Sequence, residues 1–237
     1  MVNWTGFLAL SIAVTVSVIV LARSSARALD GEASANIGGR ALRWNVVLSQ
    51  GLVALVVLGG AWAAGIPWTA LGFPATPTVG GLSHPLLAGT VLGLVVAGGN
   101  VLLERVVDAP ALRDAATVRR ALAPASIAGW ASLLFVVIPI IAVSEELLFR
   151  AVLVGALAVG FDLSPWLLVA ISSLAFGAAH TAQGTTGVIV TTLFGAILGG
   201  AFVLTGDLLV VIVAHALVDV VEFLVHEGPL ARRATRP

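Results

Sequence analysis

Two adjacent carboxylates and one guanidinium lie inside an apolar stretch of this sequence. Residues 144–150 are S-E-E-L-L-F-R, within an apolar run from Ile127 to Gly160. An ionisable side chain at bilayer depth costs at least about 2.5 kcal/mol on insertion scales, so such residues are rare and usually functional. On a helix, Glu146 and Arg150 share a face and can pair, because they are four residues apart. Glu145 lies about 100° round the helix without that partner and is free to act as a base. The alternative is a buried ion pair that only fixes helix packing.

Two later apolar blocks each carry a histidine. His180 ends the sequence F-G-A-A-H, and His215 begins H-A-L-V-D, which places Asp219 on the same helix face. Two further residues continue this polar face, Glu222 and His226. Taken alone, a histidine at the end of a span is more often interfacial, but an intramembrane His/Asp pair needs partners in the bundle. We expect those partners to be Glu145 and His180.

This set of side chains is suited to hydrolysis. Carboxylates and histidines that converge from three helices can hold a water, deprotonate it and stabilise an oxyanion. Glu145 is the candidate general base, and the histidines are candidate metal ligands or hydrogen-bond donors to the developing charge.

The composition predicts an all-α, polytopic membrane helix bundle. The chain has 237 residues, of which 59% are hydrophobic and 10% charged, whereas a soluble domain carries about 25% charged residues. Apolar runs of about 17 to 25 residues can cross the bilayer as helices. About seven transmembrane helices are predicted, over Trp4–Ala22, Val46–Gly65, Pro85–Leu103, Ile127–Gly160, Leu163–His180, Thr185–Thr205 and Leu208–Val225.

The arginines predict an orientation. Segments 23–45 and 104–126 carry four arginines each and the tail carries three, while the opposite connectors carry none. The remaining arginine is Arg150. By the positive-inside rule, the N-terminus lies outside and the C-terminus in the cytoplasm. Glu104–Arg120 is amphipathic enough to lie at the membrane surface. The arginine-only basic composition fits a GC-rich bacterial source, and hence a multi-pass plasma membrane protein.

Three parts are expected along the chain: N-terminal helices with a connector (1–126), a catalytic bundle (127–226) and a basic cytoplasmic tail (227–237). The first block has no basic segment before it, so a retained anchor is favoured over a cleaved signal peptide. Cysteine is absent, which excludes disulfides and thiolate zinc sites. The net charge of zero argues against nucleic-acid binding. The H-E-x-x-H zinc motif is also absent.

Together, the motifs E-E-x-x-x-R, F-x-x-x-H and H-x-x-x-D resemble those of the CPBP family of intramembrane proteases. This family contains the CAAX prenyl-protein endopeptidases and the bacteriocin-processing or immunity enzymes called Abi proteins. The resemblance covers roughly residues 127–226. It implies one catalytic set: Glu145 as activator of water, Glu146 and Arg150 as its supporting pair, His180 and His215 as ligands of water, oxyanion or metal, and Asp219 at the last polar position.

The resemblance leaves the cofactor open. Zinc or another divalent metal would be bound by His180, His215 and Glu145, but a metal-free, glutamate-dependent hydrolysis is equally compatible. The implied partners are the lipid bilayer and a peptide or protein substrate, either lipid-anchored or membrane-inserted. The prenyl-protein proteases have Asn at the position of Asp219, which disfavours a prenylated substrate.

Two other functions fit the same residues. A non-catalytic scaffold or immunity protein would keep the fold, and a proton-coupled transporter would also carry acidic residues and histidines in its spans. A proton relay needs polar residues spread across the membrane depth, whereas these residues cluster. The predicted spans put His180 on the order of 10 Å nearer the cytoplasm than Glu145, so we expect the site in the cytoplasmic half. The fourth block, about 50 Å long as a helix, is expected to kink at Pro139 or to tilt.

Overall fold

The computed structural model describes residues 1–29, 38–75, 79–106 and 113–228. Over these residues the chain is helical, without β-strands. The helices that precede the long central helix, Ile127–Phe161, are α1 (Trp4–Leu29), α2 (Gly39–Ala63), α3 (Ser83–Val106) and α4 (Arg113–Leu122). Those after it are α8 (Pro165–Ala178), α9 (Gly184–Thr205) and α10 (Leu208–Glu227). Short 3₁₀ turns occupy Trp68–Leu71, Val79–Leu82 and Thr181–Gln183.

The predicted polytopic bundle is confirmed, and one predicted span is short. Within the described residues, six helical segments are long and apolar enough to cross a membrane. The fifth predicted block, Leu163–His180, contains only the 14-residue helix α8. At 1.5 Å per residue α8 extends over about 21 Å, less than the roughly 30 Å of a hydrocarbon core. The count of seven therefore combines six long spans with one shorter apolar helix.

The central helix, Ile127–Phe161, changes its helical type along its length. It consists of α5 (Ile127–Ser132), α6 (Ile138–Glu146) and α7 (Leu157–Phe161), joined by π-helical segments over Leu133–Val137 and Leu147–Ala156. Pro139 is the second residue of α6, directly after the first π-helical segment. The second segment begins immediately after Glu146. Such π-helical turns occur frequently at functional sites.

Glycines bring the helices that carry the site into close contact. On α3, a Cβ atom at Gly93 would lie 2.8 Å from the carbonyl oxygen of Ala214 on α10. On α9, a Cβ atom at Gly199 would lie 2.9 Å from the Val169 side chain of α8, and one at Gly195 would lie 3.2 Å from Ser173. Gly195 and Gly199 are four residues apart on α9, and the absence of side chains at these positions permits this close approach.

A first prediction concerns Gly93, because its neighbour Ala214 directly precedes His215. We expect Gly93→Ala to lower the free energy of unfolding by about 1–3 kcal/mol, since the added methyl group overpacks the contact between α3 and α10. A methyl group added at Gly98 of the same helix would have no atom within 4 Å, so Gly98→Ala is the matched control. Thermal unfolding in lipid measures both. Equal unfolding midpoints would contradict the proposed packing role.

The predicted amphipathic stretch Glu104–Arg120 is only partly one helix: residues 104–106 end α3, and α4 covers Arg113–Leu122. Arg119 of α4 lies 3.3 Å from Glu222 and 3.5 Å from Glu227, at the end of α10. Arg43 donates a hydrogen bond to the carbonyl oxygen of Leu122 at 2.9 Å. From residue 229 onward, the predicted basic tail lies outside the described residues, as do residues 30–37 and 107–112 of the arginine-bearing connectors. The orientation stays a prediction.

Candidate active site

Glu146 lies at the centre of a buried polar group. Its Oε1 accepts a hydrogen bond from Nη1 of Arg150 at 2.8 Å and another from Nδ1 of His215 at 2.6 Å. Both Glu146 and Arg150 are almost fully buried, with 0% and 1% of their surface exposed. The predicted pair of Glu146 and Arg150 is thus present, and it also orients a histidine from α10.

Arg150 connects the central helix to its neighbours. Its Nη2 donates to the carbonyl oxygen of Gly195 on α9 at 3.2 Å. Its guanidinium carbon lies 4.5 Å from the centre of the Phe176 ring on α8, within the range of a cation–π contact. Through these contacts and its ion pair with Glu146, the Arg150 guanidinium links the central helix to α8 and α9 around the site.

The two carboxylate oxygens of Glu145 have different neighbours. Oε1 accepts a hydrogen bond, and Oε2 points towards two imidazoles. Its Oε1 accepts a hydrogen bond from Nε2 of Gln50 on α2 at 3.1 Å. Its Oε2 lies 3.8 Å from Nε2 of His180 and 3.8 Å from Nε2 of His215. Among the described residues, this buried Oε2 has no hydrogen-bond partner. As expected, Arg150 pairs with Glu146 and not with Glu145. The hydrogen bond from Gln50 to Oε1 is a contact that sequence reasoning missed.

The two histidines present the same ring nitrogen to Glu145. Nδ1 of His180 lies 2.7 Å from the carbonyl oxygen of Phe176, and Nδ1 of His215 lies 2.6 Å from the Glu146 carboxylate. Carbonyl and carboxylate oxygens only accept hydrogen bonds, so each Nδ1 carries the proton. This leaves each Nε2 available for a water, an oxyanion or a metal ion.

The predicted offset between the two positions does not keep His180 away from Glu145, since its Nε2 lies 3.8 Å from Glu145 Oε2. Helix α8 ends at Ala178, and His180 sits in the turn that follows. Gly184, the first residue of α9, ends this turn with a φ of 70°; glycine adopts that conformation without steric cost. His180 therefore reaches Glu145 from the turn between α8 and α9.

The four polar residues predicted to share one face of α10 divide into two groups. Oδ2 of Asp219 lies 3.8 Å from Nε2 of His215, and 28% of the Asp219 side chain is exposed, which places it at the edge of the site. Glu222 instead lies 3.4 Å from Nε2 of His226 and 3.3 Å from Arg119. Glu222 and His226 therefore belong to the contact between α10 and α4, while His215 and Asp219 face Glu145.

A cavity of about 800 Å³ reaches Glu145. Its wall is formed by α1, α2, the end of α4, the central helix and the turn after α8. Most of the wall is aliphatic, and within the described residues Glu145 is its one charged side chain. Five uncharged polar residues also line it: Ser17, Asn45, Ser49, Gln50 and Ser144. The volume is that of a typical ligand pocket, which is about 300–1,000 Å³.

The donor set is chemically suitable for zinc, although the spacing is wide. Two imidazole Nε2 atoms and one carboxylate oxygen are common zinc ligands, and hydrogen-bonded Nδ1 atoms are typical of metal-bound histidines. Ligand bonds of about 2.0–2.1 Å give ligand–ligand separations of about 3.4 Å in a tetrahedral site. The observed 3.8 Å separations exceed that. Among the described residues, no group of three or more His, Cys, Asp or Glu is arranged to hold a metal ion.

Comparison with known families agrees with this geometry. Residues 127–221 match the family model described as Type II CAAX prenyl endopeptidase Rce1-like. The match begins with the central helix and contains all of the predicted site residues, so the resemblance inferred from the three motifs is confirmed. No curated protein and no solved structure matches the chain. The chain is thus a multi-pass membrane protein, and its residues 127–221 are similar to a family of membrane endopeptidases.

Proposed function

We propose that this protein is a membrane-embedded endopeptidase in which Glu145 activates the hydrolytic water. The observation that carries the proposal is the position of Glu145 Oε2, buried and 3.8 Å from the Nε2 atoms of both His180 and His215. A separation of 3.8 Å is too long for a direct hydrogen bond, and in the proposed enzyme one water hydrogen-bonds to all three groups. The Rce1-like match supports peptide hydrolysis over other reactions at such a site.

The reaction would proceed by general base catalysis. The water oxygen bonds to the carbonyl carbon of the peptide, while one water proton moves to Oε2 of Glu145. The negative charge gathers on the former carbonyl oxygen, and a protonated imidazole Nε2 of His180 or His215 stabilises it. When the C–N bond breaks, the proton on Glu145 passes to the leaving nitrogen. One peptide bond and one water thereby give a carboxyl terminus and an amino terminus.

The buried ion pair of Glu146 and Arg150 contributes to this chemistry by holding the His215 ring in one orientation. Glu146 holds Nδ1 of His215 at 2.6 Å, and Arg150 compensates the Glu146 charge at 2.8 Å. Asp219, 3.8 Å from Nε2 of His215, would favour the protonated form of that ring. The reactive ring therefore has a fixed orientation before substrate arrives, as preorganised catalysis requires.

A divalent metal remains compatible with these residues. Zinc, when bound by His180, His215 and Glu145, supplies Lewis-acid polarisation and a more acidic bound water. Dialysis against a chelator followed by zinc titration distinguishes a metal-dependent enzyme from a metal-free one.

The aliphatic wall of the cavity favours an apolar stretch of peptide as the substrate. A charged side chain placed against an aliphatic wall loses its hydration without gaining a partner, and Glu145 adds repulsion for acidic groups. A peptide from a membrane-inserted or lipid-anchored protein satisfies these conditions, and its lipid would lie in the surrounding bilayer. Prenylation is not required by this argument.

The proposal is tested with purified protein in liposomes and a pair of quenched fluorescent peptides. One peptide carries an aliphatic residue next to the cleaved bond, and its partner carries Asp at that position. We expect cleavage of the apolar peptide and at least about tenfold lower kcat/KM for the acidic one, since burying an unpaired charge costs several kcal/mol. No cleavage across a broad panel of apolar peptides by the wild-type protein would overturn the proposal.

A further inference from the structure

We propose that Gln50 is a positioning residue for Glu145, an inference that rests on the proposed hydrolase function. Nε2 of Gln50 donates a hydrogen bond of 3.1 Å to Oε1 of Glu145. Gln50 lies on α2, outside the segment 127–221 that matches the Rce1-like family model. The N-terminal helices thus supply a contact to the reactive carboxylate that the matched domain alone does not contain.

The need for such a contact follows from the neighbours of Glu145. Glu145 and Glu146 are adjacent carboxylates, and the contacts of Arg150 are with Glu146, Gly195 and Phe176. The glutamate side chain has three rotatable bonds, so an unanchored Glu145 carboxylate could turn either oxygen towards the cavity. The Gln50 amide fixes Oε1, and the carboxylate geometry then directs Oε2 to a position equally far, 3.8 Å, from both histidine Nε2 atoms.

The location of Gln50 also makes it part of the cavity wall. Three polar residues of α2 face this space, namely Asn45, Ser49 and Gln50. Further along the same helix, Val57 and Ala61 are buried in the core. Because α2 is anchored in the core, the amide is held by a packed helix rather than by a loop. This is the arrangement expected of a residue that supports catalytic geometry.

The test compares two substitutions of Gln50 that keep the size of the side chain. Gln50→Met removes the N–H donor, and Gln50→Glu keeps the shape but replaces the donor by a third carboxylate. We expect Gln50→Met to lower kcat about 10- to 100-fold, the range for partners that orient reactive groups, with less than about a threefold change in KM. We expect Gln50→Glu to lower kcat further, because like charges repel. Both variants should keep the wild-type thermal midpoint within a few degrees.

Leu48→Met is the matched control, because Leu48 is 70% exposed on the same helix and is not part of the cavity wall. Wild-type kcat in both Gln50 variants, or a change confined to KM, would overturn the positioning role. A loss of kcat accompanied by a large fall in the thermal midpoint would overturn it as well, in favour of a packing role. Failure of the hydrolase proposal looks different: the wild-type protein would not cleave, or Glu145→Gln would cleave as fast as wild type.

Discussion

Replacement of Glu145 by glutamine is expected to lower kcat for peptide cleavage by about 10²–10⁴-fold, the usual contribution of a general base. The substitution preserves shape and the capacity to accept the Gln50 hydrogen bond through Oε1. It removes the carboxylate that takes the proton from water. The measurement is steady-state kinetics in liposomes, with Glu145→Ala as a second loss-of-function variant.

The control for Glu145→Gln is retention of the fold. Oε2 of Glu145 accepts no hydrogen bond within the described part of the chain, so the amide should leave the thermal midpoint close to that of wild type. A folded variant that cleaves at the wild-type rate would contradict the base role. If the protein's biological effect also survived, the motif would be structural, and the scaffold or immunity function would replace hydrolysis.

The second large effect is expected at Arg150, as a loss of stability together with activity. Arg150→Met removes the arginine partner of the Glu146 carboxylate, which is 0% exposed, and among the described residues leaves it only the contact with His215. Removing one member of a buried pair costs about 3–5 kcal/mol, because an uncompensated charge remains in the interior. Arg150→Lys should rescue little, because an ammonium cannot reproduce the planar fork that reaches both Glu146 and Gly195. Chemical unfolding in detergent or lipid measures the loss.

A double variant separates charge burial from simple packing. Adding Glu146→Gln to Arg150→Met removes the orphaned charge, so we expect part of the lost stability to return while activity stays low. Activity stays low because His215 loses the carboxylate that holds its Nδ1. If Glu146→Gln lowers the free energy of unfolding as much in the Arg150→Met background as it does in wild type, then Glu146 and Arg150 do not stabilise the protein as an ion pair.

Local spacing was sufficient to predict the charged part of the site. The separation of four residues between Glu146 and Arg150 specified their pair, and the same separation placed His215 and Asp219 on one face of α10. Because ionisable groups are costly in a membrane, we expected the three motifs to converge on one site. These inferences depend only on helix geometry and desolvation, which are properties of short sequence segments.

The features that the sequence did not reveal depend on tertiary structure. Gln50 lies 95 positions from Glu145, and its polar side chain inside the second apolar block was the one available signal. The predicted fifth block ended at His180, two residues after the observed end of α8, but the 3.8 Å approach of His180 to Glu145 depends on how the helices pack and could not be read from that boundary. The π-helical segment that follows Glu146 has no simple hydrophobic period that would distinguish it from an α-helix. Packing against neighbouring helices decides each of these features.

The central claim is that a water held by Glu145, His180 and His215 is added across a peptide bond. The most direct test is cleavage in water enriched in heavy oxygen, with wild-type and Glu145→Gln proteins in the same liposomes. Mass spectrometry of the products should find one heavy oxygen in the new carboxyl terminus with wild-type protein, and at least about 100-fold less product in the same time with Glu145→Gln. Absence of any peptide product from wild type, or equal labelled product from both proteins, would contradict the account.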